Sequence, residues 1–470
     1  MARWPHVTGF AIILNLWGVV GAAWGQAPAV WVFDEVTLKN GSQFLGVILK
    51  ESSTELEFQV VIRSPGRPTL TLTSKYTTRE IATVKRLSAA DRAALHAKLA
   101  ELDPSLIGER KRMESLELTP TTWLGEPDGA QRYSSDRFVL VSGASEEVTR
   151  RAAVRLEQIY AAFTRFLPPQ NTVAQPTNVF LAGQLDDYRK LIGPTAGVIL
   201  NPAIYEPAMN RIVCGNDLRR LGAELNATHK KHAQELAKID KYEKEIRQLY
   251  RNLELERFMV VVTRERERLR KADHANDKVF DKATKGLFAL LYHEAFHSYV
   301  ATYVYPPKSA EEVRAGKGTG ELPRWLNEGY AQIFETAVIE AGELRIGHAD
   351  TDTGRLDRVQ KLLKAKPGLL PIPELLRAGR DSFLAAHADQ QSATNRVYLT
   401  SWAVTFYLAF DRQLIGTKDF RTYLTTINTG GDPVQAFQNW VGQDVVAFEK
   451  DLTDYLARLL PDGTLTPRRP

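Results

Sequence analysis

The sequence has almost no cysteine, which limits the kinds of site it can build. Cys214 is the single cysteine among 470 residues, so neither an internal disulfide nor a thiolate metal cage can form. Any metal site must therefore use histidine and carboxylate ligands. Cys214 itself is expected to be a small, buried, apolar side chain.

Long hydrophobic runs and a strong excess of one charge are also missing. Beyond the N-terminal region, no stretch reaches the roughly 18 apolar residues of a membrane-spanning helix, so none is predicted in the mature chain. The 61 basic and 56 acidic residues leave a net charge of only +5. This balance argues neither for nor against nucleic acid by itself. Because charged stretches mix both signs, they indicate solvated surfaces, and no nucleic-acid partner is predicted.

The N-terminus has the pattern of a secretory signal. Arg3 precedes an apolar run over residues 7–20, and Ala23-Trp24-Gly25 offers a small-x-small cleavage site. A signal peptide is therefore predicted over residues 1–25. The protein is expected to be exported to the periplasm, the cell envelope or the extracellular space. An uncleaved membrane anchor is the alternative, although the apolar run is short for one.

Residues 30–86 alternate in the period of β-strands, with turn sequences at Asn40-Gly41 and Pro65-Gly66. The pattern predicts a small antiparallel β-barrel. Through its strand rhythm alone, the segment resembles SH3-like or Sm-like modules. A packing or tethering role is the simplest interpretation, and binding of peptide or cell wall is the alternative. A helical linker is predicted over residues 87–120.

Residues 121–460 are predicted to form a larger α+β domain, mostly helical with a small mixed sheet. A charged, proline-free segment at 217–273 interrupts it. Five apolar residues there fall on one seven-residue series: Leu225, Ile239, Ile246, Leu253 and Val260. This spacing, which His232 breaks, predicts a long helix or helical hairpin with a coiled-coil seam. A structural arm is the simplest interpretation, and it could mediate oligomerisation or shield a cleft.

An H-E-x-x-H sequence at residues 293–297 carries the clearest chemistry. Residues four apart lie on one face of a helix, so His293 and His297 can bind the same ion. Glu294 falls beside that ion, where it can accept a proton from a water. Unrelated histidines on a helix are the alternative, but random placement gives this pattern only about once in a hundred such chains.

A catalytic zinc site needs a third protein ligand and one open position. The metzincin arrangement is excluded, because Val300 and Tyr303 occupy the positions of its glycine and its third histidine. Glu328 follows on a second predicted amphipathic helix, after a glycine-rich loop. It can complete a shell of two histidines and one glutamate.

These motifs resemble the gluzincin peptidases of the MA-like type, in which H-E-x-x-H precedes a helix carrying an N-E-G triplet. The similarity is greatest to uncharacterised exported bacterial families with a W-L-x-E-G-x-A helix and then a Tyr-x-x-x-Trp helix. The matching segments are residues 293–297, 325–331 and 398–402. The resemblance implies a zincin-like catalytic domain over about 138–456, on the basis of those three motifs.

The resemblance also implies roles for individual residues. His293, His297 and Glu328 would hold Zn²⁺, and Glu294 would act as general base. Tyr398 would stabilise an oxyanion, although a tyrosine at a helix start beside other aromatics is more often a core residue.

Three further residues are candidates for supporting roles. Tyr330 and His387 are weaker candidates for the role of Tyr398. Asn327 could orient a ligand or cap its helix.

The sequence thus predicts an exported zinc metallohydrolase that acts on peptide or protein substrates. A catalytically inactive, envelope-associated binding or scaffold protein on the same fold is the alternative.

Overall fold

The computed structural model describes most of the chain after the N-terminal region. The described residues are 31–63, 69–102, 107–171, 175–193, 202–215, 218–250, 255–316, 318–336, 338–340, 343–345, 354–383, 388–461 and 463–467. This part combines helices with two larger sheets and one two-stranded hairpin, which confirms the predicted α+β class. The signal peptide predicted over residues 1–25 and the candidate His387 lie outside the described residues.

The first sheet contains five antiparallel strands. They are β1 (Asp34–Leu38), β2 (Gln43–Glu51), β3 (Glu55–Ile62), β4 (Leu70–Thr77) and β5 (Ile81–Lys85). The order β4-β3-β2-β1-β5 leaves β4 and β5 as edges within the described residues, so the predicted closed barrel is wrong. The physical reason lies in β4, where Leu70 and Leu72 are 63% and 62% exposed. Because these side chains enter no core, burial does not draw β4 towards β5.

Helix α1 (Ala89–Glu101) packs on one face of this sheet, in the segment where the sequence predicts a linker. Leu95 lies in an apolar cluster with side chains of β2 and β3. Asp34 is fully buried at the start of β1 and pairs with Arg92 of α1 at 2.9 Å. Burial raises the pKa of Asp34, but hydrogen bonds from Arg92 and two backbone N–H groups outweigh it and lower the pKa. This buried pair ties α1 to the sheet.

The second sheet is mixed and has six strands in the order β10-β11-β9-β8-β7-β6. They are β6 (Thr119–Trp123), β7 (Glu126–Ser134), β8 (Phe138–Ser142), β9 (Thr177–Ala182), β10 (Ala203–Glu206) and β11 (Arg211–Gly215). The pairs β8–β9 and β9–β11 are parallel. Helices α2 (Ile107–Ser115), α3 (Glu146–Phe166) and α4 (Leu185–Ile192) accompany the sheet. Strand β10 forms an edge, and Cys214 on β11 is fully buried, as its sequence context suggested.

Two long helices form the charged arm. They are α5 (Leu218–Leu249) and α6 (Glu256–Tyr299), and they run antiparallel, because Asp240 pairs with Arg266 and His232 with Asp273. Val260 was expected on the apolar seam but is 64% exposed. Helix α6 has 44 residues, about 66 Å at 1.5 Å per residue. The arm and the H-E-x-x-H motif therefore share one continuous helix.

Side chains of α3, the end of α6 and the six-stranded sheet form the largest apolar core with those of several later helices. The remaining elements follow α6 in the chain. They are α7 (Ala310–Arg314), α8 (Arg324–Phe334), β12 (Val338–Glu340), β13 (Glu343–Arg345), α9 (Arg355–Lys364), α10 (Ile372–Arg377), α11 (Ala388–Phe406), α12 (Lys418–Asn428), α13 (Pro433–Val441) and α14 (Val445–Arg458). None of the helices in the described ranges combines the length and the apolarity needed to cross a membrane.

A buried ionic network fixes the base of the arm. Asp277 of α6 is fully buried and contacts Arg110 of α2, Arg151 of α3 and His229 of α5. Arg151 is itself only 1% exposed and also pairs with Glu109 at 3.5 Å. Burial raises the pKa of Asp277, but His229, Arg110 and Arg151 outweigh it and hold the pKa at about 2. The carboxylate of Asp277 therefore links α6 to α2, α3 and α5.

Replacing this carboxylate should destabilise the protein in a pH-dependent way. We expect Asp277→Asn to lower the free energy of unfolding at pH 7 by on the order of 3 kcal/mol, because the buried charge of Arg151 loses one of its carboxylate partners. The folded pKa of about 2 lies below the ordinary value of 3.8. The contribution of Asp277 is therefore complete above about pH 4 and is lost as the pH falls towards 2.

Urea unfolding of both proteins at a series of pH values between 7 and 3 tests this, with the difference between them expected to narrow on acidification. The control is Asp240→Asn, because that side chain is 65% exposed in the same arm and should cost at most about 1 kcal/mol. A difference that stays constant with pH would contradict the role given to Asp277.

Candidate metal centre

The two histidines of α6 and the glutamate of α8 meet in the interior. Helix α6 is buried here because Leu291, Ala295 and Phe296, each 0% exposed, face the large core. The two histidines of the same turns lie close to Glu328 of α8. His293, His297 and Glu328 are 8%, 6% and 1% exposed. One ligand atom from each lies within 4.8 Å of the other two, so the structure brings the predicted ligands together.

The separations between the two ring nitrogens and the carboxylate are close to those around one tetrahedral ion. The Nε2 atoms of His293 and His297 are 3.0 Å apart. Nε2 of His293 lies 3.3 Å from Oε2 of Glu328, and Nε2 of His297 lies 3.5 Å from Oε1. Ligands held about 2.0–2.1 Å from a zinc ion at tetrahedral angles lie about 3.3 Å from one another. An ion of that size could therefore bind between the two nitrogens and the carboxylate of Glu328 after a small adjustment of the side chains.

The outer nitrogen of each ring decides which nitrogen faces the centre. Nδ1 of His293 lies 2.6 Å from Oε1 of Glu335, and Nδ1 of His297 lies 3.1 Å from Oδ1 of Asn327. Both partners are acceptors, so each Nδ1 carries a proton and each Nε2 of a neutral ring offers its lone pair. Two lone pairs at 3.0 Å repel unless a cation lies between them. The donor set therefore fits a metal ion.

The carboxylate of Glu328 also suits a metal ion. Glu328 is buried, yet neither of its oxygens accepts a well-directed hydrogen bond within the described residues. The guanidinium of Arg324 is close, with Nη2 at 2.6 Å from Oε1, but without hydrogen-bond alignment. Arg324 compensates part of the charge of this buried carboxylate, but its oxygens still lack aligned hydrogen bonds, and a metal ion would satisfy them.

The charged groups around the two rings shift one another's pKa values. Burial lowers the pKa of His293, but the neighbouring carboxylates of Glu328 and Glu335 outweigh it and raise the pKa to about 10. Burial raises the pKa of Glu328, and the nearby His297, His293 and Arg324 bring it well below its usual value. A metal ion would take the place that a proton on His293 otherwise fills, so metal and proton compete here.

The candidate base, Glu294, points towards the edge of the six-stranded sheet. Its Oε2 accepts a hydrogen bond of 2.7 Å from the backbone N–H of Tyr205 on β10. The side chain is partly exposed, unlike those of the three candidate ligands. An edge strand thus holds this carboxylate beside the paired rings.

Tyr398, the candidate oxyanion donor, lies on α11. Its ring packs edge-on against Phe383, with ring centroids 5.1 Å apart. Burial raises the pKa of Tyr398, and the charges of Glu328 and Glu294 add to the effect. The hydroxyl is therefore within electrostatic reach of two site carboxylates and remains protonated. Tyr330 lies in the core against Phe296.

Three residues of the centre were not singled out from the sequence. Glu335 follows Glu328 by two helical turns and holds His293, while Arg355 pairs with Glu335 and donates to the carbonyl of Gln332 at 2.9 Å. Arg324 contacts Glu328 one turn earlier. An acidic residue two turns after a ligand, on the same helical face, was the available signal for Glu335. Nothing comparable pointed to Arg355.

Gly329 allows α8 to approach α11 closely. A Cβ atom at this position would lie 2.0 Å from Oγ1 of Thr405 and 2.6 Å from the backbone oxygen of Ser401. Only glycine fits this contact without a shift of one helix. The glycine of the N-E-G triplet therefore sets the depth at which its neighbour Glu328 enters the site.

Gly329→Ala is expected to push α8 away from α11. We expect a loss of about 1–3 kcal/mol in the free energy of unfolding from overpacking, together with weaker binding of divalent metal. The matched control is Gly286→Ala on α6, where a Cβ would meet nothing within 4 Å and should stabilise the helix by roughly 0.5–1 kcal/mol. Denaturant unfolding and metal titration check both variants. Equal stability and equal metal affinity in Gly329→Ala and wild type would refute the packing argument.

Comparison with known proteins gives one partial match. Residues 307–429 match a family described as a protein of unknown function, DUF1570. The matched stretch contains Glu328, Glu335 and Tyr398 but begins after His293 and His297. No curated protein and no solved structure matches the chain. The similarity to DUF1570 thus covers the helix of the third candidate ligand and assigns no activity.

Proposed function

We propose that the protein is an exported, zinc-dependent hydrolase with a zincin-like catalytic domain, and that it cleaves bonds in peptide or protein substrates. One observation carries this proposal. The Nε2 atoms of His293 and His297 lie 3.0 Å apart and each lies within 3.5 Å of one oxygen of the Glu328 carboxylate, and both outer ring nitrogens are already engaged. Two histidines and one glutamate are a ligand set of catalytic zinc, which keeps a fourth position open.

The chain supplies the remaining groups that hydrolysis requires. Zinc, when bound, would polarise a substrate carbonyl and lower the pKa of a water. Glu294, oriented by the N–H of Tyr205, accepts the proton of the attacking water and delivers it to the leaving amine. Tyr398 stays protonated and can donate a hydrogen bond to the oxyanion.

Access to the site favours a catalytic function over a purely structural metal. The candidate ligands are buried, whereas Glu294 and Tyr398 are partly exposed and the side chain of Arg324 is 41% exposed. A structural zinc site closes its fourth position with a protein ligand. Here the groups suited to proton transfer lie on the side that solvent reaches. Amide bonds as the target rest on the resemblance to gluzincin peptidases.

Glu294→Gln separates metal binding from catalysis. We expect the variant to keep stoichiometric zinc, because Glu294 is not a ligand, and to lose activity by about 100-fold or more, because it cannot accept a proton. Elemental analysis and cleavage of a broad peptide library measure the two effects. Glu311→Gln on α7 removes the same charge from an exposed position and should behave as wild type. Equal turnover in Glu294→Gln and wild type, or wild type without zinc, would overturn the proposal.

The partner of His293 should control metal affinity. We expect Glu335→Gln to weaken zinc binding by about 10–100-fold, because a neutral amide holds the ring less firmly and makes it a poorer donor. Competition with a chelator at constant pH gives the dissociation constant. Glu374→Gln on α10, at an exposed position, is the control. An unchanged constant in Glu335→Gln would show that this hydrogen bond does not support the metal.

A further inference from the structure

Arg324 brings a permanent positive charge to the edge of the candidate metal centre. It is the first residue of α8, and its Nη2 atom lies 2.6 Å from Oε1 of Glu328. A zinc ion binds a carboxylate oxygen at about 2.0–2.2 Å, so the guanidinium would lie within about 5 Å of the ion. With 41% of its side chain exposed, Arg324 can be reached from solvent.

The stability of α8 does not explain this placement. A cation in the first turn of a helix opposes the helix dipole. An arginine four residues before a glutamate is also the weaker order for a helical ion pair. The preceding Pro323 provides no side-chain cap. Local electrostatics therefore disfavour arginine at position 324. We look for the role of this arginine in the site itself.

Charge balance in the metal-loaded site supplies that reason. The carboxylate of Glu328 would bind the ion, and the shell of two neutral histidines, Glu328 and Zn²⁺ would keep a net positive charge. Glu335 already pairs with Arg355. The charge of Glu328 is then shared with the ion, and Arg324 faces a positive centre. An anion beside Arg324 would relieve this repulsion.

The surroundings of Arg324 also suit a substrate. Its guanidinium lies 5.9 Å from the ring centroid of Phe383, which packs against Tyr398. Arg324, Phe383 and Tyr398 therefore occupy neighbouring positions beside the candidate ligands. Arginine binds a carboxylate through two parallel hydrogen bonds, which gives direction as well as affinity.

We propose that Arg324 recognises a carboxylate of the substrate, on a residue that flanks the cleaved bond. Consecutive Cα atoms are about 3.8 Å apart, so a group about 5 Å from the ion meets an adjacent residue and not a distant one. The carboxylate is either an acidic side chain or a free C-terminus. This inference rests on the proposed peptidase function and adds its substrate class.

Binding to an inactive protein tests the proposal without turnover. A peptide cleaved by the wild type is prepared in matched forms, with Glu or Gln beside the cleaved bond and with a free or amidated C-terminus there. Calorimetry on zinc-loaded Glu294→Gln should show that one carboxylate form binds about tenfold tighter or more than its amide. The pair that differs identifies whether a side chain or the C-terminus is recognised.

The same titrations on a Glu294→Gln background carrying Arg324→Gln should bring that ratio near one, with zinc content retained. Arg324→Lys should keep part of the preference, since it retains the charge but not the paired hydrogen bonds. Arg377→Gln, on the exposed end of α10, should keep all of it.

Two results would overturn the inference while leaving the proposed hydrolase intact. The first is that the wild type cleaves the acid and amide forms equally and that the Glu294→Gln protein binds both forms equally. The other is an Arg324→Gln enzyme that loses the same factor in kcat on both forms, which would make Arg324 a donor to the oxyanion instead. A zinc-loaded wild type that cleaves no peptide would overturn the inference and the proposed function together.

Discussion

The convergence of two imidazole lone pairs on a buried carboxylate is the constraint around which this part of the protein is arranged. Such a convergence is unfavourable without a cation, so it persists only if surrounding contacts hold it. Glu335 and Asn327 hold the rings from behind. The contact at Gly329 lets Glu328 reach them. Each contact therefore favours a geometry that a metal ion would stabilise.

Helix α6 joins this centre to the charged arm. The same helix carries Asp277, locked by Arg110 and Arg151, and the paired histidines about four to five turns later, on the order of 25 Å along the axis. The buried network fixes the helix against α2 and α3, and the large core fixes its C-terminal end. A rigid element held at two places positions a site more accurately than a loop does. The base of the arm therefore helps to fix the position of the histidines on α6.

The correct predictions rest on residue spacing within a single helix or strand. The wrong ones depend on how these elements pack against one another. His293 and His297 could be paired from spacing alone, because a helix places residues four apart on one face. The spacing also places Glu335 on the face of Glu328, but whether it reaches His293 depends on the angle at which α8 crosses α6, which no local pattern contains. Strand alternation around Leu70 and Leu72 indicated strands, but it could not show that both residues stay exposed and leave the sheet open. Tertiary packing likewise placed Val260 off the seam that its seven-residue series predicts.

Three glutamates near the rings show how environment can divide one residue type into separate roles. Glu328 is buried between two imidazoles, and its negative charge suits a cation. Glu335 is paired with Arg355 while it holds a ring nitrogen, so it is committed to orienting His293. Glu294 has a single backbone donor to Oε2 and partial exposure, which leaves its side chain close to solvent. A structural metal site would need the first two of these groups and not the third. The position of Glu294 is therefore the feature that argues most directly for hydrolysis at this centre.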